Sequence, residues 1–218
     1  MKPLVSLSLF IACVVTVHGQ QSGVLFLNRI VSTPTLLAPV YGVNPLDPLT
    51  RLSGNAITNG GIVDYTGHPL VFGTSYTASL WAAPVGQGVL PPLFQQLATA
   101  PFRTTASLHG YWASPPDGLA TIIPFVTQPG TQAQLQVRVW NNMNGTVTTW
   151  AEALANSDVV ALGNSDTFVL TPTFLPQTPN DLTGLTSFSL TIVPEPSTLA
   201  FGLVGTLIVG TWRLRRRR

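Results

Sequence analysis

The sequence predicts an all-β protein whose body, residues 20–192, folds as a single β-sandwich, jelly-roll-like or Ig-like, with long loops. Three observations support this expectation. The apolar runs of the body are short and rich in β-branched residues, turn-forming residues separate them, and only 8% of the whole chain is charged. A body of this size can bury a sizeable core, so we expect one domain. An N-terminal signal helix and a C-terminal transmembrane helix are expected to flank it.

Local patterns place the elements of this body. In segment 135–140, three aliphatic residues alternate with three polar or aromatic ones, which predicts a strand with two different faces. Asn144-Gly145 predicts a hairpin turn, because both residues tolerate positive φ. Residues 150–155 are expected to form one short helix. The expected strands are Val24–Leu27, Tyr76–Ala82, Ala120–Val126, Leu135–Trp140, Thr167–Thr171 and Ser187–Val193, and the expected loops are 29–48 and 90–102.

The charge of the body differs from that of the whole chain. The chain carries a formal net charge of +2, but six of its ten basic residues lie near the two ends. Between residues 20 and 193, four arginines stand against seven acidic residues, which leaves a net charge of −3. The basic character therefore belongs to the ends, and we expect no nucleic-acid partner for the body.

The first nineteen residues have the layout of a secretory signal peptide. Lys2 gives a positive start, and residues 4–17 are almost entirely apolar. We expect the secretion machinery to cleave this segment between Gly19 and Gln20. Two alternatives are a lipid attached at Cys13 and a buried element of the fold. Cleavage would also remove the only cysteine, and with it any disulfide, thiol nucleophile or thiolate metal site.

The C-terminal residues predict a short membrane segment followed by a stop-transfer signal. Residues 197–212 carry no charge, and as a helix they would extend about 24 Å. That is short of the ~20 residues usual for a membrane span, although three glycines and an interfacial Trp212 suit a membrane helix. Alternatives are a soluble core helix and a tail that binds nucleic acid. The basic cluster, which should stay cytoplasmic and so place the body outside, comprises Arg213, Arg215, Arg216, Arg217 and Arg218.

A short motif, residues 193–198, joins the body to this segment. Pro194 and Pro196 hold the chain extended, and Glu195 offers one negative charge to a processing enzyme. Together with the apolar segment and the arginines, this motif resembles the PEP-CTERM sorting signal, here residues 193–218. The resemblance implies recognition by exosortase, a membrane-embedded, cysteine peptidase-like sorting enzyme. The alternative is that the motif is only a rigid linker.

Parts of the body also resemble small PEP-CTERM proteins. In those proteins an acidic residue is common where Asn141 stands. The resemblance implies an exported protein that is tethered in the inner membrane before processing and then lies at the cell surface or outside the cell. Its body would be structural or matrix-associated. The similar segments are 23–29, 135–140 followed by 145–146, 151–153, 163–165 and 182–188.

No residue pattern predicts a catalytic or metal site, and we expect neither a cofactor nor enzymatic activity. His68 and His109 lack metal-ligand spacing, and Glu152 is expected on the solvated face of the short helix. A glycosidase would need a pair of facing carboxylates, which no spacing indicates. A calcium site built from amide oxygens is the alternative, and its residues would be Asn141, Asn142 and Asn144.

The aromatic residues suggest a second hypothesis. Trp140 is expected on the polar face of its strand, beside Gln136 and Arg138. Exposed aromatic rings next to amides are suited to stacking on sugars. The second hypothesis is therefore an exopolysaccharide-binding module that contacts its ligand through these three residues. The alternative is that Trp140 packs under a loop or against the short helix.

Overall fold

The computed structural model describes residues 21–31, 35–86, 94–114 and 120–193, and it shows an all-β protein with several sheets and little helix. The predicted all-β class is confirmed. The expected signal peptide and the tail from Pro194 onward lie outside the described residues. The elements, in chain order, are β1 (Ser22–Leu25), β2 (Arg29–Ile30), β3 (Leu36–Leu37), β4 (Val40–Tyr41), β5 (Tyr76–Pro84), β6 (Gln95–Pro101), β7 (Thr121–Ile122), β8 (Ala133–Asn141), α1 (Trp150–Ala155), β9 (Leu162–Asn164), β10 (Phe168–Leu170), β11 (Thr173–Phe174), β12 (Asn180–Asp181) and β13 (Phe188–Ser189).

The largest sheet has five strands and is built on β5 and β8. These two pair antiparallel over nine residues, with Tyr76 opposite Asn141 and Pro84 opposite Ala133. Strand β6 pairs with the other edge of β5 and has a bulge opposite Leu80 and Trp81. Strands β10 and β9 pair with successive parts of the free edge of β8. Strand β8 has nine residues, so its two ends are about 26 Å apart at ~3.3 Å per residue.

The remaining strands form three smaller sheets. Strand β1 pairs antiparallel with β7 and β11 and parallel with β12. Strands β4 and β13 form a parallel pair, and β2 and β3 an antiparallel one. Most of these pairings join distant parts of the chain, so short strands are held by tertiary contacts rather than by hairpins.

The main hydrophobic core contains residues from several of these sheets. Val24 of β1, Val40 of β4, Leu80 of β5, Val137 of β8 and Phe188 of β13 belong to a single buried cluster, and each is at most 1% exposed. Burying a large aliphatic or aromatic side chain contributes roughly 1.5–3 kcal/mol. This shared core therefore holds together strands of the five-stranded sheet, the β1 sheet and the β4–β13 pair.

Two of the strand predictions and the helix prediction are confirmed. The segments 76–82 and 135–140 lie within β5 and β8. Helix α1 begins after Thr149, whose hydroxyl accepts the Glu152 N–H (3.2 Å) while the Glu152 carboxylate accepts the Thr149 N–H (3.2 Å). This reciprocal capping box satisfies donors that the first turn would otherwise leave free.

The expected loops and hairpin need correction. Residues 95–101, expected to be part of a loop, form β6 along the edge of β5. Segment 29–48 contains three two-residue strands. Asn144 and Gly145 do have positive φ, 56° and 92°, but the chain continues into α1 before β9 returns to β8. The turn was predicted correctly and the hairpin was not.

Of the other predicted strands, 24–27 is displaced by two residues to β1, and the remaining three are shorter than expected. Pairing within 120–126 is limited to β7, and within 167–171 to β10. In the last predicted strand, 187–193, β13 covers two residues and Thr191 adds an isolated bridge to Leu162.

Among the described residues, the helices are too short or too polar to traverse a lipid bilayer.

Candidate functional site

The residues expected to contact a glycan lie inside the protein. Trp140 is 0% exposed, and Arg138 and Gln136 are each 7% exposed. The Trp140 Nε1–H donates to the carbonyl of Val147 (3.0 Å), and its ring packs edge-on against Trp150 at 6.2 Å between centroids. The expectation of an exposed sugar-stacking surface is therefore wrong. The alternative, packing against a loop and the short helix, is confirmed.

Trp140 is buried because a second, smaller core covers this face of the large sheet. The segment between β8 and β9 folds back across the sheet and places α1 over β8. The cluster therefore buries the face that the alternating sequence suggested was polar. Its members are Trp140, Val147, Trp150, Ala153, Val160 and Leu162, with Trp81 packed against them.

Arg138 lies beside this second core among aromatic rings. Its guanidinium carbon is 4.2 Å from the ring centroid of Trp81, 5.5 Å from that of Trp150 and 5.7 Å from that of Phe94. Each distance is within the range in which a cation is attracted to an aromatic face. The aromatic rings thus replace water around most of this side chain.

The hydrogen bonds of Arg138 continue into the sheet. Its Nε–H donates to the Gln136 Oε1 (2.9 Å), and the Gln136 amide donates to the Ser165 carbonyl (3.3 Å). Burial lowers the pKa of Arg138, yet a guanidinium stays protonated in proteins and cannot act as a general acid or base. Within the described ranges, the one salt bridge joins Arg51 and Asp166, so Arg138 is held without a carboxylate there. The contacts of Arg138 with Trp81, Trp150 and Gln136 therefore anchor it within the fold.

Two carboxylates of the body, those of Asp64 and Glu152, serve local structure. Glu152 accepts from the N–H groups of Thr148 (2.7 Å) and Thr149 (3.2 Å), which lowers its pKa. Asp64 accepts from the N–H (2.9 Å) and the hydroxyl (2.7 Å) of Thr66, which likewise lowers its pKa. Both arrangements match caps and turns, in which a short acidic side chain replaces a backbone acceptor.

Asp166 links two distant parts of the chain. Its Oδ1 lies 3.2 Å from the Arg51 Nη2, and its Oδ2 accepts the Ser53 hydroxyl (2.6 Å). The Arg51 Nη2 also donates to the Asn164 carbonyl (2.7 Å). The Asp166 side chain is two-thirds exposed, so this contact fixes a loop rather than forming an enclosed site.

His68 and His109, and two of the three asparagines considered for calcium, have local partners. His68 donates from Nδ1 to the Gly42 carbonyl (3.0 Å), and the His109 ring stacks on Phe72 at 4.4 Å between centroids. The Asn141 Oδ1 accepts the Met143 N–H (2.9 Å), and the Asn142 Oδ1 accepts the Gly145 N–H (3.2 Å). The described residues contain no group of three or more His, Cys, Asp or Glu that could hold a metal ion. The asparagine side chains organise the turn after β8.

A cleft at the Asn141 end of β8 is the feature that sequence reasoning missed. It has a volume of about 280 Å³ and is lined by mainly aliphatic residues and by the rings of Phe72 and Tyr76. Phe72 is 53% exposed and Val159 is 60% exposed. None of its lining side chains is an acid, a lysine, an arginine or a histidine. The lining residues come from five separate segments with no shared periodicity, so the sequence offered no signal for it.

Pro194, Glu195, Pro196, the arginine cluster and the expected Gly19–Gln20 cleavage site lie outside the described residues. The last described residue, Val193, is 51% exposed, and its N–H donates to the Ser157 carbonyl (2.8 Å).

Comparison with protein-family models, with curated proteins and with solved structures found no match for this chain.

Proposed function

We propose that this chain is an exported surface protein whose C-terminal residues 193–218 form a sorting signal for an exosortase-type membrane peptidase. The protein would be tethered in the inner membrane before processing and would then lie at the cell surface or outside the cell. Its body would serve as a structural or matrix-associated module with no catalytic step. The observation that carries the proposal is the order of three features in the tail: a Pro-Glu-Pro motif, an apolar segment and terminal arginines.

The position of Val193 is compatible with this proposal. The backbone of the body is hydrogen-bonded through this residue, which directly precedes Pro194. A proline lacks a backbone N–H and cannot extend a ladder of hydrogen bonds. An extended, accessible motif next to the surface of the body is what a processing enzyme would require.

Mass spectrometry of the protein from its native host tests the proposal. The host is compared with a strain lacking the sorting peptidase, and a matched variant replaces Pro194, Glu195 and Pro196 with alanine. We expect an N-terminus near Gln20 and, in the parent strain only, a C-terminus near residues 194–196. An intact arginine tail in both strains would contradict the sorting proposal and leave a plain membrane anchor.

For the body we propose a single sandwich, in which the five-stranded sheet and the β1 sheet face each other across the main core. Both sheets contribute residues to that core, which supports the proposal. An experimental structure of the body would test it, and strands that diverge without facing layers would refute it.

Exopolysaccharide binding by the body is the alternative proposal, but the three contact residues expected for it are buried. It needs an exposed ring, and Phe72 is the aromatic residue that the described surface exposes most clearly. A pull-down with host exopolysaccharide, using the parent protein and Phe72→Ala, tests it. Binding that is lost in a folded Phe72→Ala protein would support the alternative, and no binding by the parent would remove it.

A further inference from the structure

The chain between the body and the expected membrane segment is very short. Val193 is bonded to the body, and the apolar segment begins at residue 197, so only three residues lie between them. Fully extended, three residues and the flanking peptide bonds reach about 11–14 Å. The polar layer on one side of a bilayer is itself roughly 5–8 Å thick. A tail inserted in this way would hold Val193 at or very near the lipid head groups.

The length of the membrane segment brings the body closer still. Its 16 residues extend about 24 Å as a helix, against a hydrocarbon thickness of ~30 Å. A short segment is accommodated by local thinning of the bilayer or by drawing flanking residues inward. Both responses press the face of the body that carries Val193 toward the lipid.

That face carries a cleft whose lining includes no charged side chain. The cleft at the Asn141 end of β8 includes Ile192, the neighbour of Val193, and its rim carries Phe72 and Val159, which are 53% and 60% exposed. The Ile192 N–H donates to the Pro48 carbonyl (3.0 Å), which brings the loop with exposed Leu49 to the same side. Contiguous exposed apolar side chains of this kind mark interaction surfaces.

The polar groups of this cleft do not favour a sugar. The Asn141 Oδ1 accepts the Met143 N–H (2.9 Å), and burial raises the pKa of Tyr76. Sugar recognition needs donors and acceptors that are free to bind hydroxyl groups. Here the Asn141 oxygen already accepts from the backbone, and most of the other lining side chains are aliphatic or aromatic, so the lining favours an apolar ligand.

We infer that the surface formed by Phe72, Val159, Ile192 and Val193, here called the Val193 face, docks on the outer interface of the bilayer that holds residues 197–212. This inference depends on the membrane insertion proposed for the tail. The docked face places aliphatic and aromatic side chains at the boundary between head groups and acyl chains, as interfacial proteins do. Asp47 and Asp158 flank this surface in sequence, so attraction to anionic lipid does not drive the contact.

Single-cysteine spin labels on the full chain test the inference, because replacing Cys13 with serine leaves a background without cysteine. The protein is reconstituted in phosphatidylcholine vesicles, and a label is placed by Phe72→Cys, Val159→Cys or, in the tail, Gly205→Cys. The control is Val169→Cys, because Val169 is 47% exposed and lies opposite Gln134, at the far end of β8 from Asn141. The readout is accessibility to oxygen, which concentrates in lipid, relative to a water-soluble nickel chelate.

We expect a several-fold higher ratio of oxygen to nickel accessibility at positions 72 and 159 than at position 169, unchanged by salt. A lipid signature at position 205 with a control-like value at 72 would overturn the docking and leave the tail proposal standing. A water signature at position 205 would overturn both. Two further results would also overturn the docking: dipolar broadening between labels at position 72, which indicates a second copy, and protection of that label only by added exopolysaccharide.

Discussion

Replacing Trp140 with alanine should destabilise the body strongly. The indole is fully buried, contacts Trp150 and bonds to the Val147 carbonyl. Truncation of a buried aromatic residue to alanine costs about 3–5 kcal/mol, from lost burial and the cavity left behind. The buried acceptor at Val147 loses its donor as well, so we expect the upper half of that range. A surface tryptophan used for binding would cost far less.

The loss is large relative to the whole stability of a domain, which is about 5–15 kcal/mol. For a protein of this size, about 1 kcal/mol shifts Tm by roughly 2–4 °C, so a loss of about 4–5 kcal/mol in Trp140→Ala should lower Tm by about 8–20 °C. Urea unfolding followed by circular dichroism measures the free energy of unfolding directly. Ile62→Ala is the matched control, because Ile62 is 93% exposed. It should change stability by no more than about 0.5 kcal/mol.

A third variant separates packing from hydrogen bonding. Trp140→Phe keeps much of the apolar volume but removes the Nε1 donor, so it should be less destabilising than alanine. If Trp140→Ala loses less than about 1 kcal/mol, the ring is not packed as the structure shows, and the argument from the second core fails. An unchanged Tm together with lost polysaccharide binding would restore Trp140 as a contact residue.

Three other changes follow from particular contacts. Gly163→Ala places a Cβ 2.7 Å from the Ser189 carbonyl oxygen and should cost about 1–3 kcal/mol in urea unfolding; parent-like stability would show that the contact relaxes freely. Arg138→Lys should lower the free energy of unfolding by about 2 kcal/mol although the charge is kept, because a lysine ammonium cannot reproduce the contacts of the planar guanidinium with Trp81 and Trp150. Equal stability of the two proteins would mean that only the charge matters at this position. Hydrogen bonds from Thr148 and Thr149 lower the pKa of Glu152 below its ordinary value of 4.5. The ionised carboxylate therefore stabilises the folded protein above that pH, and this stabilisation is lost as the pH falls through the lowered pKa. Unfolding measured across this acidic range should therefore vary less with pH in Glu152→Gln, and an identical pH dependence would refute the assignment.

The sequence was most informative where local chemistry alone determines the structure. Strands β5 and β8 have long β-prone runs, and α1 has both halves of a capping box in Thr149 and Glu152. Strand β6 was missed because it begins with two glutamines and ends in a proline. Its extended conformation depends on pairing with the edge of β5, about which the segment itself carries no information.

The alternation in segment 135–140 was read correctly but interpreted incompletely. Alternation separates the two faces of a strand, and it does not show that one of them meets water. Here α1 covers the second face with Trp150 and Ala153, which lie three positions apart on one side of the helix. The spacing of these two residues, followed by apolar Val160 and Leu162, was the available signal that the face of Trp140 is buried.

The distribution of chemistry along the chain explains why the body is hard to interpret from its sequence. Arg138 is enclosed by rings, Glu152 caps a helix, and Asp166 holds a loop, so each of these charged side chains serves the fold. The residues with the most specific pattern lie at the ends instead. Because Val193 belongs to the folded body and Pro194 to the motif, the fold determines which face would be turned toward an inserted tail. The peptide bond between Val193 and Pro194 therefore joins the folded body directly to the proposed sorting tail.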